Sequence, residues 1–321
     1  MNSRKICRSP SLHANYPAKS APDGAVQPPA ASRPLTRFVT LAVVISVATA
    51  LLMTGCSLST HDLHVDGIAW QPDDATANPS GNWDVLGAQD LLIQWIAVDD
   101  TAFISNAGLP PVPHLPDLAR IGREPWAKNV ILGLAGYQDE KRARANVAKL
   151  VEQSLMISRI PVPLHVVGYY FPVEADPSWT DAPKLAASLQ DLPRPLWITV
   201  YDQSNIGGKT LADWLATWLP ADVGIFFQDG VGVYAREPRL ARTYLNALAE
   251  RFGKDRVRVI AEAFRPAGPG KFRSATPEEM RPQLKAYRGY SVYLFDGPHY
   301  VSETLIKGLA PNAAAKRASK G

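Results

Sequence analysis

Cysteine is nearly absent. The 321-residue chain has two, Cys7 and Cys56, so the fold does not rest on the disulfide framework of a small exported domain. No Gly-X-Ser-X-Gly elbow occurs, which removes the usual signal for a serine hydrolase of the α/β type. No glycine-rich phosphate turn follows the first apolar run, which continues as AWQPDDATANPSG. SNIGGKT imitates a phosphate loop, but Gln203 stands where its first glycine is required. HDLHVD gathers His61, Asp62, His64 and Asp66, yet nothing makes it a helix that would turn both histidines onto one metal. The pattern calls for no cofactor and no metal.

A basic surface is lacking as well. The net charge of +4 comes from the first 55 residues, where Arg4, Lys5, Arg8, Lys19, Arg33 and Arg37 face only Asp23. Beyond them the balance is near −1, which speaks against nucleic acid as a partner. The one long uncharged apolar run is residues 38–53, preceded by Arg33 and Arg37 and followed by TGCS. That is the layout of a secretory signal. Cys56 directly after TG resembles the bacterial lipoprotein box, and implies lipidation at Cys56, a membrane anchor and a place in the cell envelope, on the outer membrane facing the periplasm. Read instead as an uncleaved anchor, the run is short for a span. The expected organisation is a signal over 1–55, a tether over 56–62, a single monomeric domain over 63–308 and a disordered tail over 309–321.

What the chain has is eight short apolar runs: VDGIAW, DLLIQWIAV, NVILGLAG, HVVGYYFPV, PLWITVY, VGIFFQ, VRVIAEAF and YSVYLF. They are mostly continuous rather than alternating, as strands covered on both faces are. Helical stretches separate most of them. DEKRARANVAKLVEQSLMISR repeats its apolar residues near a 3.6 period after an acidic start, and REPRLARTYLNALAERFGK opens with proline and stops at glycine. Strand–helix alternation over eight units predicts an α/β fold, a (β/α)8 TIM barrel.

A barrel of this kind keeps its site at the C-terminal strand ends. The strand exits carry Gln71, Gln94, Glu174, Asp202, Gln228, Asp229, Glu262 and Asp296, while the strand entries read as less acidic. Aspartates there serve readily as helix caps or loop residues, the expected duty of Asp99, Asp202 and Asp296. Glu is a weak cap, so Glu174 and Glu262 lack an obvious local task. Two such glutamates suit glycosidic bond hydrolysis, with Glu174 as acid and base and Glu262 as nucleophile. The bland alternative pairs an inward Glu262 with Arg265. Asp229, followed by Gly230 and Gly232, is either a turn residue or a partner of the glutamates. Gln94, Trp95, Tyr169, Gln228, Trp70 and Asp296 are the candidates for binding substrate, aromatic rings being suited to the apolar faces of sugars.

GIAWQP, LLIQW, ILGLAGY, GYYFPVE, FFQDGVG and AEAF, in that order, resemble a bacterial family of glycoside-hydrolase-type TIM barrels catalogued as a domain of unknown function. The resemblance implies a barrel with a carbohydrate-related role. The placement of Glu174 and Glu262 on the fourth and seventh strands also looks like the large clan of retaining barrel glycosidases, although Val173 replaces the Asn that precedes that clan's fourth-strand Glu. Two functions follow as expectations: hydrolysis of a polysaccharide or oligosaccharide, or a non-catalytic barrel that binds carbohydrate in exopolysaccharide assembly.

Overall fold

The computed structural model describes residues 63–310. The signal segment, Cys56, all but the last residues before the barrel, and residues 311–321 lie outside the described residues. Eight parallel strands close into a barrel: β1 Gly67–Trp70, β2 Asp90–Ile93, β3 Asn129–Gly133, β4 Val166–Ala175, β5 Leu196–Val200, β6 Val223–Gln228, β7 Val257–Glu262 and β8 Ser291–Phe295. Each pairs with its neighbours in sequence, and β8 returns to β1 through Gly67 opposite Tyr293. All eight apolar runs became barrel strands. The second and third runs are longer than their barrel strands. Their ends, Ala97–Val98 and Ala135–Gly136, join Thr101–Ala102 in a small sheet of their own.

Between the strands lie α1 Glu140–Ala145, α2 Val147–Ile157, α3 Leu185–Gln190, α4 Gly208–Ala216, α5 Pro238–Phe252 and α6 Pro277–Ala286, and α7 Glu303–Leu309 follows the last strand. The helical stretch expected over 139–159 breaks at Asn146. Its side-chain amide donates to the carbonyl of Arg142 at 2.8 Å, and its backbone leaves the helical region at φ −126° and ψ 28°. α5 begins on Pro238 and ends at Gly253 with φ 86°, the start and stop its sequence signals. A reciprocal capping box between Thr276 and Glu279 opens α6. α7 runs to Leu309, a buried residue one position beyond the expected end of the domain.

Period-two alternation divides every strand between two cores. Leu91, Val130, Phe171, Ile198, Ile225, Val259 and Leu294 belong to the layer between strands and helices. Ala69, Leu92, Ile131, Tyr170, Phe226, Ile260 and Tyr293, with Trp197 packed against them, fill the barrel itself. Trp197 fits because its flanking strands carry Gly168 and Gly224, where any Cβ would strike the indole. Below this layer the strand entries are more polar than expected. Tyr293 donates to Asp90 at 2.6 Å, Asn129 donates to the same carboxylate at 2.9 Å, and Arg258 donates to the Tyr293 hydroxyl at 2.8 Å. A cleft of about 590 Å³ opens at this end, lined by Asp66, Lys254, Arg258 and Tyr290 among others, and does not reach the glutamates. The strand-exit side chains gather at the opposite, C-terminal mouth.

Candidate active site

β4 carries Glu174 out of the barrel on an irregular stretch. From Phe171 to Ala175 it takes four residues, while β5 covers the matching distance from Ile198 to Val200 in two. The extra residues, around Pro172 and Glu174, form a bulge at the rim, a device that re-aims a side chain without changing which face it belongs to. Tyr170 fills the barrel, so Glu174, four residues on, shares its inward side.

Glu174 is not alone there. Glu140, the first residue of α1, reaches back so that its Oε1 accepts the Glu174 backbone N–H at 2.8 Å. The same oxygen accepts from Arg144 Nε at 3.2 Å. Arg144 in turn donates to the Glu174 carbonyl at 3.1 Å, and its guanidinium stands 3.8 Å from the Glu174 carboxylate. Burial, and then the negative charge of Glu140, push the Glu174 carboxyl well above the ordinary carboxylate range, against the pull of Arg144. Burial also raises Glu140, to about 7, despite Arg144 beside it. In the sequence Glu140 was legible only as part of an acidic helix start, and its i,i+4 pairing with Arg144 emerges from the structure.

Glu262 ends β7 two residues after Ile260, a barrel-filling residue, and is buried at 2% exposure. Its Oε2 accepts the backbone N–H groups of Gly232, at 2.7 Å, and Val233, at 3.3 Å. Oε1 takes no hydrogen bond from the described residues, so one oxygen is fixed and the other is uncommitted. Arg265 does not pair with this carboxylate. It donates to the carbonyls of Glu262 and Phe264 and to the side chain of Gln283. Burial, and next the proximity of Asp229, raise Glu262 to about 8, partly offset by the Gly232 N–H and Arg236. Glu174 and Glu262 also feel each other's charge.

Gly232 is required for this arrangement. A Cβ at that position would stand 2.6 Å from Glu262 Cβ and 2.8 Å from its Oε2. Gly232→Ala is expected to cost about 1–3 kcal/mol by overpacking and to lower any turnover that depends on Glu262. Denaturant midpoints and rates measured on one preparation check this; an unchanged pair of values contradicts it.

Asp229 bonds the backbone N–H of Glu262 rather than its carboxylate. It is fully buried, and accepts from the N–H groups of Val231 and Glu262, from the Gln283 amide and from the Tyr287 hydroxyl. Four donors consume its lone pairs, an arrangement suited to orienting β7 and the 229–236 loop. Arg236 closes that loop by donating to the carbonyls of Asp202, Gln228 and Asp229.

The remaining candidates divide by strand face. Gln94 follows Leu92, and Gln228 follows Phe226, each by two residues from a barrel-filling position. Their side-chain amides take no hydrogen bond from the described residues, so both stay available at the mouth. Trp70 and Trp95 turn the other way. Both are buried in the layer beneath the helices, with their indole N–H groups donating to Thr76 Oγ1 at 3.4 Å and to the Pro72 carbonyl at 3.1 Å. Tyr169 packs against the same outer layer, and its neighbour Tyr170 enters the barrel. The three expected sugar platforms are therefore packing residues by position.

Asp296 is buried below the rim after β8. Its Oδ2 accepts from the Gln71 N–H at 3.3 Å and from His299 Nδ1 at 2.7 Å, while Oδ1 is buried with no partner among the described residues. His299 bonds Asp73 through Nε2 at 3.2 Å. Hydrogen bonds to Asp296 and Asp73 hold the imidazole up at about 10, so it is a fixed cation at neutral pH. Asp99 pairs with Arg142 at 3.3 Å, and Asp202 accepts from the Tyr244 hydroxyl at 2.7 Å, local tasks of the kind expected of loop aspartates.

No family model matches the chain, and no curated protein matches it in sequence. The family suggested by the strand-exit motifs is thus not matched, whereas the barrel that it implied is present. Among solved structures the chain is similar to a putative alpha-L-fucosidase from Bacteroides thetaiotaomicron. The two are 14% identical, and the likeness covers 77% of this chain and 94% of that one at a TM-score of 0.52. At that identity the likeness is one of fold.

Proposed function

We propose that this protein is a glycoside hydrolase working through two carboxyl groups, Glu174 as proton donor and Glu262 as nucleophile. The observation that carries the reading is the pair itself. Two inward glutamates end the fourth and seventh strands, and burial raises both. One carboxylate oxygen of Glu262 is fixed by backbone N–H groups while the other is uncommitted. A glycosidic oxygen needs a proton as it leaves, and a carboxyl kept neutral at working pH supplies one. Glu174, half-buried and beside Glu140, has the stronger reason to stay protonated. Glu262 has the stronger reason to ionise, because two N–H groups and Arg236 favour its anion. Attack by its free oxygen on the sugar's anomeric carbon forms a glycosyl ester, and water activated by the Glu174 carboxylate then releases the sugar.

The similarity in fold to a protein described as a fucosidase agrees with this class and does not name the sugar. Asp229 serves as a positioning residue for Glu262, and the amides of Gln94 and Gln228 offer hydrogen bonds to substrate hydroxyls. Release of reducing sugar from a polysaccharide panel, measured on the wild-type protein, is the direct test.

Anchoring through a lipid on Cys56, with the domain facing the periplasm, is the second part of the proposal and rests on the TGCS motif. Cys56→Ser is expected to move the protein from the membrane fraction and to remove incorporation of labelled palmitate. An unlabelled wild-type protein contradicts lipidation.

A further inference from the structure

The aromatic residues expected to meet substrate pack under the helices, which leaves open what surface a sugar ring would rest on. Tyr234 is 65% exposed, more than any other large hydrophobic side chain in the described residues. Its backbone lies in the left-handed region at φ 59°. A residue with a Cβ is uncommon there and pays conformational energy that glycine does not. Little in the protein repays it. The Tyr234 N–H donates to the Val231 carbonyl at 3.1 Å, and its phenol lies within electrostatic reach of Arg273.

Position adds a second argument. Tyr234 directly follows Gly232 and Val233, whose N–H groups hold Glu262. Arg236 pins the other end of the loop to carbonyls of the β5 and β6 exits. The ring is therefore carried on a short segment braced on both sides of the candidate nucleophile. Facing it is the hairpin Phe264–Gly268 and Lys271–Ser274, which rises directly from β7 and bears Arg273. There Phe264 packs edge-on against Phe272 at 4.9 Å and tilted against Tyr300 at 5.2 Å. These rings belong to the loops and hairpin that follow β6, β7 and β8 rather than to the β1–β4 arc.

We infer that Tyr234 is the aromatic platform of this site, stacking on the apolar C–H face of the pyranose ring bound next to Glu262. The strained exposed ring is then explained by what it binds. A sugar face covers apolar area on the ring while its hydroxyls stay free for the polar groups of the mouth. This inference rests on the carbohydrate reading above.

The test is affinity electrophoresis through gels containing soluble laminarin, xylan or dextran, with wild type, Tyr234→Phe, Tyr234→Ala and Tyr234→Gly. Phenylalanine keeps the ring and should be retarded within about twofold of wild type. Alanine and glycine should lose about tenfold in affinity, the scale of one aromatic contact. Thermal unfolding of Tyr234→Gly should occur no lower than wild type, because glycine relieves the left-handed strain. Weaker binding with undiminished stability separates a platform from a structural residue. Wild type and Tyr234→Ala retarded equally would overturn the platform and leave the carbohydrate reading intact. Wild type retarded by none of the three would overturn both.

Discussion

Glu262→Gln is expected to make the protein more stable above neutral pH and to leave it nearly unchanged in acid. The sign follows from linkage. Glu262 titrates near 4.5 in the unfolded chain and at about 8 in the fold, so the folded state binds the proton more tightly. Its favourable contribution is complete below the unfolded value and is lost as pH rises through about 8. Over that window the buried anion costs a few kcal/mol, a large share of a typical folding free energy. A glutamine of the same shape still accepts the Gly232 and Val233 N–H groups through its carbonyl oxygen and carries no charge to ionise. Wild-type unfolding midpoints should therefore fall between about pH 5 and 9, and those of the variant should fall less. Parallel curves for the two proteins would contradict a buried, raised Glu262.

Glu174→Gln is expected to reduce hydrolysis about 10²- to 10⁴-fold, the usual contribution of a positioned general acid. Substrates whose leaving group needs no proton should suffer least, since glutamine cannot donate one to the departing oxygen. The wild-type rate should climb as pH rises through about 8, where Glu262 becomes the carboxylate that attacks, and fall again where Glu174 loses its proton. In Glu174→Gln the upper limb should disappear. Since the two carboxyl groups influence each other, the limbs belong to the pair rather than to either residue singly. Rates across pH on an activated and an unactivated glycoside check this, and an unchanged upper limb would remove Glu174 from the role.

Much of the barrel is legible in the chain because strands covered on both faces read as continuous apolar runs, and all eight runs pair as barrel strands. The inward glutamates were legible for a similar reason, each standing at the polar end of such a run. The aromatic candidates misled, and period two explains why. Gln94 and Trp95 are adjacent, so they cannot both face the mouth. The same holds for Tyr169 and Tyr170. The inner row of Leu92, Tyr170, Phe226 and Ile260 selects Gln94 and rejects Trp95.

Glu140 and Arg144 were out of reach for a different reason. Their meeting with Glu174 depends on how α1 docks over the bulge of β4, contacts between residues 34 and 30 apart that local patterning does not encode. Tyr234 carried no sequence signal, since its exposure and its left-handed backbone follow from the path of the loop around Glu262.

If Glu174 and Glu262 act together on a glycosidic bond, reducing-end release from a polysaccharide panel should depend on both, with wild type, Glu174→Gln and Glu262→Gln compared at equal folded concentration. Release by the wild type on at least one polysaccharide is expected, with its loss in both variants, each still folded. Release that persists in either variant, or a folded wild type that binds a polysaccharide and never cleaves it, would contradict the hydrolase. The second result would leave a carbohydrate-binding barrel in its place.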